Sequence, residues 1–348
     1  MSVLSMESKV TRQEDKEITI ESPYFEDLKI GQVFDSAPAV TLTSGHAAFH
    51  AAQFGDRLRL PLDATLCQSV TGHPALAHPN LVCNIAIGQT TEPTQRVKGN
   101  LFYRGLVLQT PVFIGDTLRT TTEVVSLRQN RPKPGRAATG LAVLQVHVEN
   151  QRGDTVMHFW RCPMLPCRDP KADTGARDSF DSIPDQISED QLSQAIPLDW
   201  QLDQFRRELP GPHFADVSVG SHYIVEARDT VTSAPELARL TLNLARAHTD
   251  ASASAYGKRL VYGGYTISMA SAQITRALPN LVTILAWRAC DHTAPVFEGD
   301  RLWTEFYVEN KLSLQRAGGM VDLHAVVHAE RTDETVVVLD WRVVGLMA

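Results

Sequence analysis

The sequence has few cysteines, no long apolar run and no excess of basic residues, and each shortage excludes a class of protein. Five cysteines scattered over 348 residues do not make a disulfide framework or a cysteine-rich zinc site. Apolar runs such as residues 336–339 are far shorter than the roughly 20 residues of a membrane span. With 33 Lys and Arg against 40 Asp and Glu, nucleic acids and anionic membranes are poor partners.

The first 20 residues predict a disordered leader rather than a signal peptide. They carry charges from Lys9 to Glu17 and lack the apolar core that a signal peptide needs. Together with the scattered cysteines, this predicts a cytoplasmic protein. The length of 348 residues suits two domains, and 43% hydrophobic with 21% charged residues is ordinary for a globular chain.

An internal repeat organises the chain. Residues 23–31 (PYFEDLKIG) recur as residues 212–220 (PHFADVSVG), and residues 111–118 recur as residues 295–302. The two offsets, 189 and 184, are nearly equal, and the matches keep their order. We therefore predict a duplicated domain. The predicted parts are a leader over 1–20, an N-terminal repeat over 21–165, a linker over 166–205 that is rich in Pro, Asp, Ser and Gln, and a C-terminal repeat over 206–348.

Each repeat is predicted to contain one long helix followed by an antiparallel meander, which is an α+β pattern. Ser233 to Glu236 resembles a capping box and predicts a helix that runs to about Arg246. A Gly-Gly pair precedes a second helix over 265–278, whose apolar residues recur at helical spacing. The predicted strands are 101–108, 117–126, 138–149 and 156–164 in the first repeat, and 281–287, 301–308, 320–329 and 335–344 in the second.

One stretch of the C-terminal repeat carries a family pattern. Asn243-Leu-Ala-Arg-Ala-His248-Thr-Asp250, followed by Tyr262-Gly-Gly264, resembles the MaoC-like, (R)-specific enoyl-CoA hydratase family, and within it the branch that acts on β-methylmalyl-CoA and mesaconyl-CoA. The general pattern has Asp at the place of Asn243, whereas the mesaconyl-CoA branch has Asn. The resemblance implies a double hotdog, in which each repeat wraps an antiparallel sheet around a central helix.

The chemistry of enoyl-thioester hydration assigns roles to the matched residues. His248 is the candidate acid or base, because an imidazole titrates near neutral pH. Asn243 is a candidate for orienting the water, and the motif adds Asp250 as a third catalytic candidate. Five residues on one helix would separate Asn243 and His248 by about 140°. The helix must therefore end between them, near Arg246.

The candidate oxyanion donors are the amides of Gly263 and Gly264 at the start of the central helix. The offset of 184 places Pro79, which has no N–H, opposite Gly263. In the N-terminal repeat Asp56 lies near the position of Asn243, and Pro61 replaces His248. We expect that repeat to be degenerate and to accommodate the substrate, with Asp56 as a possible secondary acid.

The predicted function is reversible hydration of an enoyl-CoA, and the candidate substrate is a short branched or dicarboxylic ester such as mesaconyl-CoA. A hotdog acyl-CoA thioesterase and an inactive acyl-CoA-binding subunit are the alternatives, because one fold hosts several functions. No cofactor is expected beyond the coenzyme A of the substrate. No metal is expected either, since Asp291-His292, His73 and His78 do not form a complete ligand set. Homo-oligomers are possible.

Overall fold

The computed structural model describes residues 18–315 and 317–348. The N-terminal repeat begins with two short strands, continues with four helices and ends with four long strands. Its elements are β1 (Val33–Phe34), β2 (Val40–Thr41), α1 (Ser44–Phe54), α2 (Arg59–Leu62), α3 (Ala64–Thr71), α4 (Pro79–Gln89), β3 (Gly99–Leu108), β4 (Thr117–Gln129), β5 (Thr139–Glu149) and β6 (Thr155–Pro166).

The C-terminal repeat follows the same plan after two connecting helices. The connecting helices are α5 (Glu189–Gln194) and α6 (Leu202–Glu208). The repeat itself comprises β7 (His222–Ile224), β8 (Asp229–Thr230), α7 (Ala234–Leu240), α8 (Gly263–Ala277), β9 (Leu281–Asp291), β10 (Arg301–Ser313), β11 (Gly319–Glu330) and β12 (Thr335–Met347). The eight predicted strands correspond to the eight long strands.

All the long strands join one antiparallel sheet. The order along it is β1-β4-β5-β6-β3-β9-β12-β11-β10-β7, with β2 on β4 and β8 on β10. The helices α4 and α8 lie against this sheet, and every residue of α4 is buried. The sheet thus wraps two central helices, one from each repeat, as the α+β prediction requires.

A pseudo-twofold relates the two repeats, and it passes between β3 and β9. In this pair Tyr103 faces Cys290 and Leu106 faces Trp287. Tyr103 and Trp287 are equivalent at the offset of 184, as are Leu106 and Cys290, so the symmetry exchanges the two residue pairs. The central helices obey the same symmetry, because Asn84 Nδ2 donates to Ser268 Oγ at 3.0 Å. The predicted equivalence of Pro79 and Gly263 also holds, since each is the first residue of its helix.

The segment predicted as a linker connects the repeats and also packs against them. Its buried residues include Phe180, Ile183, Trp200 and Phe205. They join clusters on the sheet face opposite α4 and α8, where Phe102 is one of the contacts. The linker is therefore a covering layer, with two short helices, for the outer face of the sheet.

The predicted leader lies largely outside the described residues. Residues 18–20, which are described, are irregular and exposed. In the described ranges, no helix combines the length and the apolar character needed to cross a membrane.

Candidate active site

A cavity of about 230 Å³ lies where the two repeats meet. This is smaller than the roughly 300–1,000 Å³ of pockets that enclose a drug-sized ligand, so it suits a short acyl group. The lining comes from the end of α4, the first half of β3 and the segment before it, one residue of β6, the loop after α7, the start of α8 and the segment after β9. The polar residues that line it are Thr91, Lys98, Asn100, Tyr103, Arg161, Asn243, His248, Tyr256, Tyr262, Thr266, His292 and Thr293.

The end of helix α7 directs the motif loop into this cavity. The Leu242 amide donates to Arg239 O and the Asn243 amide donates to Ala238 O, the paired bonds of a Schellman end. Leu242 takes the left-handed conformation (φ 57°) that this ending requires. The helix therefore ends at Leu240, before both Asn243 and His248, and not near Arg246 as the spacing predicted.

The predicted capping box at the start of α7 is wrong. Ser233 has a φ of 55°, and its side chain makes no capping hydrogen bond. The first turn holds Ala234 and Pro235, and Pro235 needs no acceptor because it lacks an N–H. The helix begins where it was expected, but proline rather than serine accounts for its start.

His248 lies in the cavity wall with one ring nitrogen committed. Its Nδ1 is 2.8 Å from Leu260 O. A carbonyl only accepts, so the proton is on Nδ1 and Nε2 keeps its lone pair. Burial lowers the pKa of His248 to about 4; the hydrogen bond to Leu260 opposes this shift and the charge of Arg161 adds to it. The imidazole is therefore neutral at neutral pH and can act as a base.

His292 lies beside the first residue of α8, and sequence reasoning assigned it no catalytic role. A β-carbon at Gly263 would collide with the His292 ring, so only glycine permits this contact. His292 Nε2 is buried with no hydrogen-bond partner in the described ranges. Burial, with a smaller contribution from His248, lowers the pKa of His292 to about 4. Two neutral imidazoles therefore flank the start of α8.

The two glycines of the predicted oxyanion site differ in their surroundings. Gly263 lines the cavity, and its amide is in the first helical turn, which has no preceding helical acceptor. Gly264 is not among the lining residues. A β-carbon there would collide with the Asn84 side chain on α4. Gly263 is thus placed to bind a ligand, whereas Gly264 permits the close packing of the two central helices.

Asn243 and Asp56 occupy equivalent places in the two repeats, as the alignment predicted. Asn243 Oδ1 accepts from the Ala245 amide at 2.9 Å, and Asp56 Oδ1 accepts from the Leu58 amide at 2.9 Å. The next residue in each repeat donates its amide to a threonine at the central helix of the other repeat. Leu244 N donates to Thr91 Oγ1, just after α4, and Arg57 N donates to Thr275 Oγ1 on α8. Asn243 lines the cavity.

Asp56 does not line the cavity and is fully engaged in packing. It is 5% exposed. Its carboxylate accepts from Ser271 Oγ at 2.8 Å and Thr275 Oγ1 at 2.9 Å, and its Oδ2 lies 3.0 Å from His78 Nε2. Burial alone would raise the pKa of Asp56, but the electrostatic effect of His78 and the hydrogen bonds hold it well below its usual range. This geometry gives Asp56 a structural role in place of the predicted acid.

Asp250 also lies apart from the cavity. It is exposed, and its Oδ1 accepts from the Ser252 amide at 2.9 Å and from Ser252 Oγ at 2.7 Å. These bonds cap the short 3₁₀ turn Ala251–Ala253. Hydrogen bonds from Ser252, opposed by partial desolvation, lower the pKa of Asp250. Its position thus supports a turn residue rather than the predicted catalytic group.

Arg161 and Tyr103 are two buried lining residues that the sequence analysis did not assign to the site. They face each other across the β6–β3 pair, and both are buried. The sequence offers one signal: Met157 and Phe159 are apolar, and the two-residue period of a strand places Arg161 on the same face. Nothing nearby in the sequence indicates that this face meets the His248 loop.

The metal prediction stays a prediction. In residues 18–315 and 317–348, no group of three or more His, Cys, Asp or Glu side chains is arranged to hold a metal ion.

Known proteins are similar to this chain in sequence and in fold. The family model of mesaconyl-CoA hydratase matches residues 5–278. The β-methylmalyl-CoA dehydratase of Chloroflexus aurantiacus is 28% identical over 318 residues, which are 88% of this chain and 88% of the relative. The mesaconyl-CoA hydratase of Cereibacter sphaeroides is 30% identical over 293 residues, which are 81% of this chain and 82% of the relative.

Two solved structures superpose on nearly the whole chain. A conserved Mycobacterium tuberculosis protein, described as a double hotdog that is essential for survival during infection, shares 47% identity with a TM-score of 0.85. It covers 94% of this chain and 99% of its own. A putative MaoC domain dehydratase from C. aurantiacus shares 27% identity with a TM-score of 0.84, over 95% of this chain and 99% of its own. The double hotdog prediction is confirmed.

Proposed function

Because the chain belongs to the mesaconyl-CoA hydratase family of MaoC-like enzymes, we propose that it hydrates a short dicarboxylic enoyl-CoA of the mesaconyl-CoA type. The chain is a carbon–oxygen lyase that acts on acyl-CoA thioesters. One observation carries the assignment of its site. A neutral histidine, His248, presents an unprotonated Nε2 in a small cavity that begins at the amide end of α8.

We assign the proton transfers to His248. In hydration its Nε2 takes a proton from water as the water oxygen bonds to the β-carbon of the ester. The electron pair of the double bond moves through the α-carbon to the thioester oxygen. The imidazolium then returns its proton to the α-carbon, so that one water is added, and dehydration is the reverse. Asn243 Oδ1 accepts from the Ala245 amide, and we assign its Nδ2, which has no hydrogen bond to the described residues, to orienting the water.

The charge on the thioester oxygen needs hydrogen-bond donors. The Gly263 amide supplies one, at the positive end of the α8 dipole. His292 supplies the second, because its ring packs against Gly263 and its Nε2 has no other partner in the described ranges. This reaction needs no cofactor beyond the coenzyme A of the substrate.

The N-terminal repeat accommodates the acyl group. It contributes Thr91, Lys98, Tyr103 and Arg161 to the cavity wall and no histidine at the place of His248. Its loss of catalytic residues therefore fits a binding role for that half.

The activity can be tested with mesaconyl-CoA. We expect the enoyl-thioester absorbance to fall to an equilibrium that is also reached from the hydroxyacyl-CoA side, with no release of free thiol. This result distinguishes a lyase from a thioesterase, because hydration of the double bond leaves the thioester bond intact. Stoichiometric thiol release would instead indicate a thioesterase. Binding without turnover across a panel of enoyl-CoA esters would indicate an inactive subunit.

The pH profile should reflect the buried histidines. The pKa values of His248 and His292 are lowered to about 4, so both rings stay neutral as the pH falls through 6.5, where an exposed histidine gains its proton. We expect kcat/KM for hydration to be flat between pH 6 and 8 and to decline only toward pH 4–5. Circular dichroism at each pH separates this decline from unfolding. An inflection near pH 6.5 would contradict the assignment.

A further inference from the structure

One buried charge in the cavity wall has no counterion in the described part of the chain. Arg161 is 3% exposed, and its Nη1 donates to Thr90 Oγ1 at 2.6 Å. Its Nε is buried and has no hydrogen-bond partner among residues 18–315 and 317–348. No carboxylate of the described residues is paired with it, whereas the half-buried Arg331 is paired with Asp300. A buried unpaired guanidinium is costly to the free protein.

The cavity around Arg161 has a positive character. No aspartate or glutamate is among its described lining residues, while Lys98 and Arg161 both are. This contrasts with the chain as a whole, whose formal net charge is −7. His248 and His292 are neutral at neutral pH, and Lys98 is exposed. The guanidinium of Arg161 is therefore the buried positive charge among the described lining residues.

The sheet register places Arg161 within reach of the reacting groups. Arg161 pairs with Tyr103, and Tyr103 pairs with Cys290. His292 lies two residues beyond Cys290, just past the end of β9, and lines the same cavity as Arg161 and Tyr103. Arg161 is also close enough to His248 to lower its pKa. The guanidinium and the two imidazoles thus border one small space.

We propose that Arg161 binds the terminal carboxylate of the acyl group and so selects dicarboxylic enoyl-CoA esters over neutral ones. This inference rests on the proposed function. A guanidinium offers parallel donors that match a carboxylate, including the Nε that lacks a partner. Bound substrate would thereby supply the missing counterion. The phosphates of coenzyme A are not the ligand of Arg161. The long pantetheine arm lies between them and the thioester, and a cavity of about 230 Å³ is too small to hold the acyl group, this arm and the phosphates together.

A pair of substrates isolates the carboxylate. Mesaconyl-CoA with its thioester at C1 and (E)-2-methylbut-2-enoyl-CoA differ only by a methyl group in place of the carboxylate. We expect the wild-type enzyme to prefer mesaconyl-CoA. Arg161→Gln should lower kcat/KM for mesaconyl-CoA by at least about 100-fold and change that for the neutral ester by less than about threefold. Arg161→Lys, which keeps the charge without the fork, should retain part of the preference.

Matched controls separate recognition from folding. Arg104→Gln removes an arginine of β3 that stacks on Phe102 and does not line the cavity; both esters should be hydrated as by the wild type. Melting temperatures of all variants check the fold. Calorimetric titration with saturated 2-methylsuccinyl-CoA and 2-methylbutanoyl-CoA measures recognition without turnover. Arg161→Gln should weaken only the binding of the dicarboxylic ester.

The remaining outcomes each decide the question. Equal losses for both esters in Arg161→Gln would overturn the proposal, because Arg161 would then serve the reaction centre or the fold. Wild-type hydration of both esters at equal rates would also overturn it and leave the lyase assignment standing. If the wild type hydrates neither ester, the proposed function fails, and the titration still shows whether Arg161 recognises the carboxylate. If Arg161→Gln does not fold, Arg161→Lys and the wild-type preference decide.

Discussion

His248→Gln is expected to lower kcat/KM for hydration by about 10³-fold while the protein stays folded. Glutamine can still donate to Leu260 O, which accepts from His248 Nδ1 at 2.8 Å, so the buried carbonyl keeps a partner. It cannot take a proton from water. The variant therefore removes the base with little change in packing. Stopped assays of mesaconyl-CoA consumption, at equal concentrations of folded enzyme, measure the loss.

Asp250→Asn is the matched control for this experiment. Asp250 belongs to the same motif, but its carboxylate caps an exposed 3₁₀ turn, and asparagine can cap that turn equally well. We expect kcat/KM to stay within about threefold of the wild type. Activity of His248→Gln near the wild-type level, or a loss in Asp250→Asn as large as in His248→Gln, would refute the assignment of the base.

The repeat and its long strands could be predicted from the sequence because their signals are local. Val-rich alternation marks the strands, and two motif pairs at offsets near 184 fix the duplication. The packing of residues 166–205 against the sheet could not be predicted, because this segment carries no local signal. Its buried residues, such as Phe180 and Trp200, recur with no helical or strand period among many polar residues. Only the tertiary structure shows that they cover one face of the sheet.

Half of the candidate site could also be predicted, because it lies on one stretch of chain. Asn243, His248 and Gly263 follow each other within the family motif, and the cavity brings them together. Arg161 comes from β6 and His292 from the segment just after β9, and the pairing of the strands brings both to the cavity. Asp250 shows the limit of motif spacing, since a carboxylate two residues from the histidine can serve the backbone of a turn instead of the reaction.

Asp56→Ala is expected to lower the free energy of unfolding by about 3–5 kcal/mol, because it removes one member of a buried charged cluster. The carboxylate joins α8, through Ser271 and Thr275, to the N-terminal repeat. It also lies 3.0 Å from His78 Nε2. Without it these groups lose a buried partner. Urea denaturation monitored by circular dichroism measures the change. Asp63→Ala is the control, because Asp63 only caps the exposed start of α3, and its loss should cost about 1 kcal/mol.

The pH dependence of stability gives Asp56 a second signature. Its folded-state pKa is lower than its unfolded one, so its contribution is complete above the unfolded value of about 3.9 and is lost as the pH falls below it. The wild type should therefore lose stability more steeply in acid than Asp56→Ala does. Activity per folded molecule should be unaffected within a few-fold, because Asp56 does not line the cavity. A variant of unchanged stability that has lost its activity would restore Asp56 as a secondary acid and show that the two repeats share the chemistry.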